Sequence, residues 1–182
     1  IPTPAILGIT REEATEWSRD VADRFHLWAS SKEAHRAEQM TFYQMQRFAE
    51  VSQQRDGEYF PRLHYDPDPK RISPLCIEFI EPSQVGGVAY TSTQGYTYEG
   101  DGINRDAFGR EISYDIQVKD GKFWKFQTIP AVLESGRRIM IHGWCPEYAA
   151  QTRGYSPLTH CIQEFEQITQ FSQAQIQKAI AQ

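Results

Sequence analysis

Four residues with metal-binding side chains, His142, Cys145, His160 and Cys161, fall in one short stretch of the chain. Zinc takes nitrogen and sulfur ligands of this kind in a tetrahedron. His142 and Cys145 have H-x-x-C spacing, but His160 and Cys161 are adjacent, and neighbours in sequence rarely both aim at one ion. Packed or loop positions are the plainer reading. Ser156 is a possible nucleophile, yet no G-x-S-x-G elbow surrounds it. The next residue is Pro157, which lacks the backbone N–H that an oxyanion hole would use there. A helix cap is the plainer reading of Ser156. Glu78, Glu81, Asp101, Asp106 and Asp115 could supply a pair of carboxylates for acid and base work. Nothing in their spacing requires two of them to converge, and such groups are usually solvated or paired with arginine. Phosphate-cradling motifs are absent from the sequence, and Gly86-Gly87 alone is weak. Lys119, Lys122 and Lys125 flank Phe123 and Trp124, a pattern that could hold stacked bases. Lys70-Arg71 and Arg137-Arg138 are further small basic groups. Lysines around a hairpin turn are ordinarily a solvated strand end.

The elements that would position these residues follow from periodicity and punctuation. Residues 1–10 read as an extended leader. Thr10 and Glu13 fit a capping box. Ala14, Trp17, Val21, Phe25 and Trp28 then recur at helical spacing, which predicts a helix over about 11–29. Ser30-Ser31 breaks this run and can cap the next. Phe42, Met45, Phe48, Ala49 and Ser52 predict a second amphipathic helix, ended by Asp56-Gly57. Tyr59–Tyr65 and Leu75–Ile80 read as strands. Residues 83–100 are rich in Gly, Tyr, Thr and Ser and fit either a strand pair or an irregular insertion. Asp106 suits the first position of a type I turn, and Gly109 supplies the positive φ that closes a bulged hairpin. Ile112, Tyr114, Ile116 and Val118 alternate as a strand. Asp120-Gly121 offers another turn, and Phe123–Ile129 returns. Arg138–His142 reads as a short buried strand and 143–155 as loop. Ser156-Pro157 looks like an N-cap with proline at the first helical position. Leu158, Ile162, Phe165, Thr169, Ser172, Ile176 and Ala179 continue at helical spacing. The fold class is α+β: two N-terminal helices, a strand-rich middle with hairpins, and a long C-terminal helix.

Composition bounds the function. The 182 residues are 40% hydrophobic, 13% aromatic and 24% charged, with a formal net charge of −5. A chain of this size can bury roughly 70% of its unfolded surface, so a real core is possible. The negative balance argues against a dedicated nucleic-acid clamp, which needs concentrated lysine and arginine. Three widely spaced cysteines, Cys76, Cys145 and Cys161, do not form a disulfide framework, and reduced thiols are the simplest reading. No apolar run approaches the ~18 residues of a membrane span. Both ends read as cuts inside a longer protein. On residues alone the reading stops at an α+β domain with no visible active site.

Three ordered stretches resemble the lambda-type family of phage portal proteins. The first runs from Trp17 to Phe48 and on into Asp56-Gly57-Glu58-Tyr59-Phe60. The second is Ile80-Glu81-Pro82 followed by the hairpin Asp106-Ala107-Phe108-Gly109-Arg110-Glu111-Ile112-Ser113-Tyr114. The third is Ile129-Pro130-Ala131, then Ile141-His142, then Arg153-Gly154-Tyr155-Ser156-Pro157-Leu158, an R-G-x-S-P-x loop opening a helix. The segment 86–102 has no counterpart in that pattern. The resemblance implies a wing-like α+β body over 11–155 and the start of a long helix over 156–182. It also implies a structural subunit of a ring at one capsid vertex, commonly a dodecamer, through which DNA passes without sequence specificity. Terminase, a capsid or scaffold protein and the tail connector would be its partners. The subunit would need no cofactor, metal, membrane or catalytic residue, and would belong to the virion after assembly in the bacterial cytoplasm. Asp106, Gly109, Arg153, Gly154, Ser156 and Pro157 would be structural, setting the hairpin and the entry to the last helix. The rival readings are a nucleic-acid-binding module and, through His142 and Cys145, a metal-dependent enzyme.

Overall fold

The computed structural model describes residues 3–86, 100–121, 123–149 and 151–180. The two longer N-terminal helices start where the sequence offers a side chain to free backbone donors. Helix α1 is a single turn, Pro4–Leu7, closed by Gly8 in the left-handed region. The leader is therefore not extended throughout: proline at the first position and glycine at the end define a short turn. Helix α2 spans Arg11–Ser30. Thr10 Oγ1 accepts from the Glu13 N–H at 3.2 Å, and the Thr10 N–H donates back to Glu13 at 2.8 Å. Ser31 caps only a 3-10 turn at Lys32–Ala34. Helix α3, Phe42–Asp56, has its own capping box from Thr41 and Gln44. Gly57, at φ 85°, stops it.

The strands form two antiparallel sheets. In the first, the order is β2-β1-β6, with β1 at Glu58–Tyr65, β2 at Leu75–Ile80 and β6 at Gly143–Trp144. In the second, the order is β3-β4-β5, with β3 at Ile103–Arg105, β4 at Glu111–Asp120 and β5 at Phe123–Pro130. The strand read at 138–142 is not a ladder. Arg138 and Met140 make isolated bridges, to Val132 and Arg62, and regular pairing begins only at Gly143 opposite Tyr59. The apolar run reflects burial of Met140, which a core loop achieves as well as a strand. Lys122, and the side chains of Phe123 and Trp124, lie outside the described residues, as do 87–99 of the Gly/Tyr-rich stretch. On either side of that stretch, Pro82–Gln84 is a 3-10 turn and Val85 bridges Ile116.

Two apolar clusters hold the body together. Trp28, Ala29, Ala34, Met45 and Ile77 pack the helices on the first sheet, and the Trp28 indole N–H donates to the Leu75 carbonyl at 2.8 Å. Phe60, Ile80, Val85, Ile103, Tyr114, Ile116, Ile129, Ala131 and Met140 join the two sheets. The stripe predicted along α2 packs only at its two ends: Ala14 and Trp28 are buried, whereas Trp17 is 55% exposed. The last helix, α4, spans Ile162–Ile180 and is preceded by a 3-10 turn at Pro157–Cys161 rather than starting at Pro157. Its apolar residues Ile162, Phe165, Ile168, Phe171 and Ile176 are all exposed. Among the described residues, no helix is long and apolar enough to cross a membrane.

The β3–β4 turn isolates a torsional effect. Gly109 sits at φ 81° with open space where a Cβ would go. A β-branched residue there suffers backbone strain alone. Gly109→Val is expected to lose about 2 kcal/mol. Thermal denaturation should show this as a drop of about 4–8 °C for a chain of this length. An unchanged melting temperature would overturn the hairpin geometry.

Candidate functional site

Among the described residues, a dense polar site forms where α3 ends and the Arg153 loop begins. Gly57 turns the chain so that Glu58 starts β1 pointing inward, with its side chain only 3% exposed. An ionised carboxylate removed from water costs several kcal/mol unless it is fully met by donors. Three groups meet it. Arg153 donates through Nε at 2.7 Å and through Nη2 to Glu58 Oε1. The Gly154 N–H reaches Oε2 at 2.9 Å. His142 Nε2 lies 2.9 Å from the same oxygen.

The glycines make this approach possible. A Cβ on Gly154 would lie 2.1 Å from the Gly57 carbonyl oxygen, and one on Gly57 would lie 2.2 Å from the Tyr155 backbone. The two backbones cross with no room for a side chain on either. Ser156 completes the joint: its hydroxyl donates to the Gln54 carbonyl at 2.6 Å and accepts from the Leu158 N–H at 3.1 Å. Pro157 follows as the first residue of the 3-10 turn that leads into α4. The loop at 153–157 thus ties the root of α4 to the C-terminal end of α3.

The guanidinium of Arg153 also reaches the second sheet. Its Nη1 donates to the carbonyls of Val85 at 2.9 Å and Asp101 at 2.5 Å, and Nη2 to Pro82 at 3.1 Å. It lies 5.5 Å from the Phe60 ring centroid. Arg105 adds a second bracket, donating to Asp101 at 2.8 Å and to the Thr152 carbonyl at 2.8 Å. One arginine therefore holds both flanks of the 87–99 stretch. Gly86 and Gly102 touch there, with each Cβ position within 2.5 Å of the other's backbone region.

His142 joins the two sheets. Its Nδ1 lies 2.7 Å from Glu111 on β4, opposite the contact to Glu58 on β1. The ring is sandwiched by Phe60 and Trp144 at 4.6 and 5.1 Å. Burial works against a charge on His142, but the bonds to Glu111 and Glu58 outweigh it and raise its pKa above 6.5. Burial likewise works against the charge on Glu58; the bonds from His142, Arg153 and Gly154 hold its carboxyl below the usual range. Glu111 behaves in the same way, with His142 and the Tyr114 hydroxyl as its donors. Burial and the neighbouring Glu111 carboxylate both push the Tyr114 phenol up.

The other sequence candidates lie apart from this site. Asp106 is the anchor of its turn: Oδ1 accepts from the N–H groups of Phe108 and Arg110 at 2.9 Å each, and Gly109 donates to the Asp106 carbonyl at 3.0 Å. The zinc quartet is not assembled. Both ring nitrogens of His142 face carboxylates, Cys145 Sγ accepts from Gln53, and His160 lies 4.0 Å from Glu147. Among the described residues, no group of three or more His, Cys, Asp or Glu side chains is placed to hold a metal. Each of the five candidate carboxylates has donors of its own: Glu78 from His64 and Arg36, Glu81 from Arg55, Asp101 from Arg105, Asp106 from Arg110, and Asp115 from Asn104 and Thr128. His64 and Arg36 hold the Glu78 carboxyl down at about 2. Glu58 was legible only as the acid following Asp56-Gly57. Its pairing with Arg153, far along the chain, had no local signal.

Removing one partner of such a buried pair leaves the other uncompensated. Arg153→Ala is expected to cost about 3–5 kcal/mol, read from the midpoint of urea unfolding. Arg153→Lys should recover only part of this, because an ammonium cannot reproduce the fork. Gly154→Ala should be about as damaging as Arg153→Ala, through backbone collision rather than lost charge.

The ordered elements therefore converge on an interlock between a D-G-E corner and an R-G-x-S-P loop, the residues that carry the family resemblance. A family model described as phage portal protein, lambda family, matches residues 2–182. The chain belongs to the lambda family of phage portal proteins, structural proteins of the virion's capsid vertex.

Proposed function

We propose that this chain is the body of a portal subunit that assembles into a dodecameric ring and lines the route for DNA packaging and ejection. Terminase would dock on the ring during packaging and the tail connector afterwards, with a capsid or scaffold protein around it. The ring would form in the bacterial cytoplasm and end in the virion. Asp106 and Gly109 would serve to shape a hairpin, and Arg153, Gly154, Ser156 and Pro157 to set the direction of α4. The observation that carries this reading is the match to the portal family along nearly the whole chain.

Two features fit it. The net charge of −5 suits a channel wall along which DNA slides instead of being gripped. Helix α4 leaves the interlock with its apolar stripe exposed, and a stripe of this kind ordinarily marks a protein contact. Head-to-tail contacts between copies close into rings when the rotation allows. In this reading α4 contributes to packing within the ring, and the exposed Trp17, Val21 and Phe25 on α2 offer a further surface.

The first test is the native mass of the full-length protein together with negative-stain images. A closed ring with a central channel is expected. A monomer at high concentration, binding DNA in a salt-dependent way or carrying stoichiometric zinc, would overturn the assignment in favour of one of its rivals. Phe165→Asp combined with Ile176→Asp should abolish or weaken ring assembly. The same pair should leave the unfolding midpoint of the body within about 0.5 kcal/mol, as for other exposed positions.

A further inference from the structure

His142 contacts two carboxylates at once. A neutral imidazole carries one N–H, so it can donate to only one of them; two donations need the imidazolium, or an equivalent proton resting on a carboxyl. In either case the Glu58–His142–Glu111 row holds one more proton than a neutral ring between two carboxylates. We propose that this proton latches the second sheet to the first, and that its loss frees Glu111 and opens the polar edge of the seam between them.

The surroundings decide which side lets go. Glu58, on β1, is 3% exposed and is also held by Arg153 and the Gly154 N–H. Glu111, on β4, is 22% exposed. Its other donor is the Tyr114 hydroxyl at 2.6 Å, and Arg105 on β3 stands 3.9 Å away. Phe60 and Trp144 cover the faces of the ring and offer no polar atom to it. Once the proton leaves, the remaining N–H stays with Glu58, which cannot reach water. Glu111 then faces a nitrogen lone pair and turns outward. The apolar cluster of Phe60, Tyr114, Ile116 and Ile129 keeps the sheets together beneath. The change is therefore a loosening at 111–114 and 142–144, not an unfolding.

Folding raises the pKa of His142, so the stabilisation is complete below about 6.5 and is lost as pH climbs through the folded value. Hydrogen exchange by mass spectrometry on the assembled protein, corrected for intrinsic rates, reads this directly. Between about pH 6 and the highest pH at which the body stays folded, protection over 111–116 and 140–145 should fall roughly tenfold relative to α3. Glu111→Gln is the discriminating variant. Its amide can donate to a neutral ring that donates in turn to Glu58, so the row is satisfied without the extra proton. That variant should stay protected at both pH values, and His142→Gln should be unprotected at both. Wild-type protection unchanged up to the highest pH at which the body stays folded would overturn the latch. So would a fall that α3 shares equally, or one that persists in Glu111→Gln. The wild-type series alone tests the proposal if a variant fails to fold.

Discussion

A carboxylate buried at the corner between α3 and β1 governs the way this body is assembled. Glu58 is nearly sealed from water and ionised, and it must be met by donors brought from elsewhere. The chain answers with a guanidinium, a backbone N–H and an imidazole, all from the segment 142–154. Each donor fixes something else. Arg153 gathers the carbonyls of Pro82, Val85 and Asp101, His142 reaches across to Glu111, and Gly154 brings its backbone against Gly57. The charges of Glu58, Glu111, His142 and Arg153 cancel, so a neutral cluster is buried rather than a net charge.

This arrangement gives chemically versatile residues a structural task. His142 has the pKa and position that attract attention in an enzyme. Both of its nitrogens are occupied by carboxylates, and its faces are covered by Phe60 and Trp144, leaving no open position for a metal or substrate. Its raised pKa comes from an internal ion network, and such structural networks shift pKa as catalytic sites also do.

What the sequence revealed was the part governed by neighbours in the chain. The Thr10 capping box, the helix stop at Gly57 and the turn at Asp106 to Gly109 are each closed within a few residues, and each was legible. The interlock was legible only as two fragments, D-G-E and R-G-x-S-P, because the contact between them depends on how the sheets stack. The stretch at 138–142 was misread for a related reason: an apolar run records burial, and Met140 is buried in a loop. The α2 stripe shows the converse limit. Its period marks an amphipathic helix, but periodicity cannot say which part of the face the same chain will cover.

The exposed stripe of α4 begins close to the interlock, because the chain enters the helix through the loop that meets Glu58. The root of the helix is the 153–157 loop, fixed by the Ser156 bond to Gln54, by the crossing of Gly57 and Gly154, and by the fork of Arg153 on Glu58. Two guanidinium donors converging on one carboxylate oxygen, with three carbonyls on the remaining N–H groups, fix the side chain in a way that a single point charge does not. The same guanidinium holds both flanks of the 87–99 stretch, through the carbonyls of Val85 and Asp101. The joint thus ties the root of α4 to α3, to β1 and to the carbonyls of Pro82, Val85 and Asp101 at once, instead of to one loop.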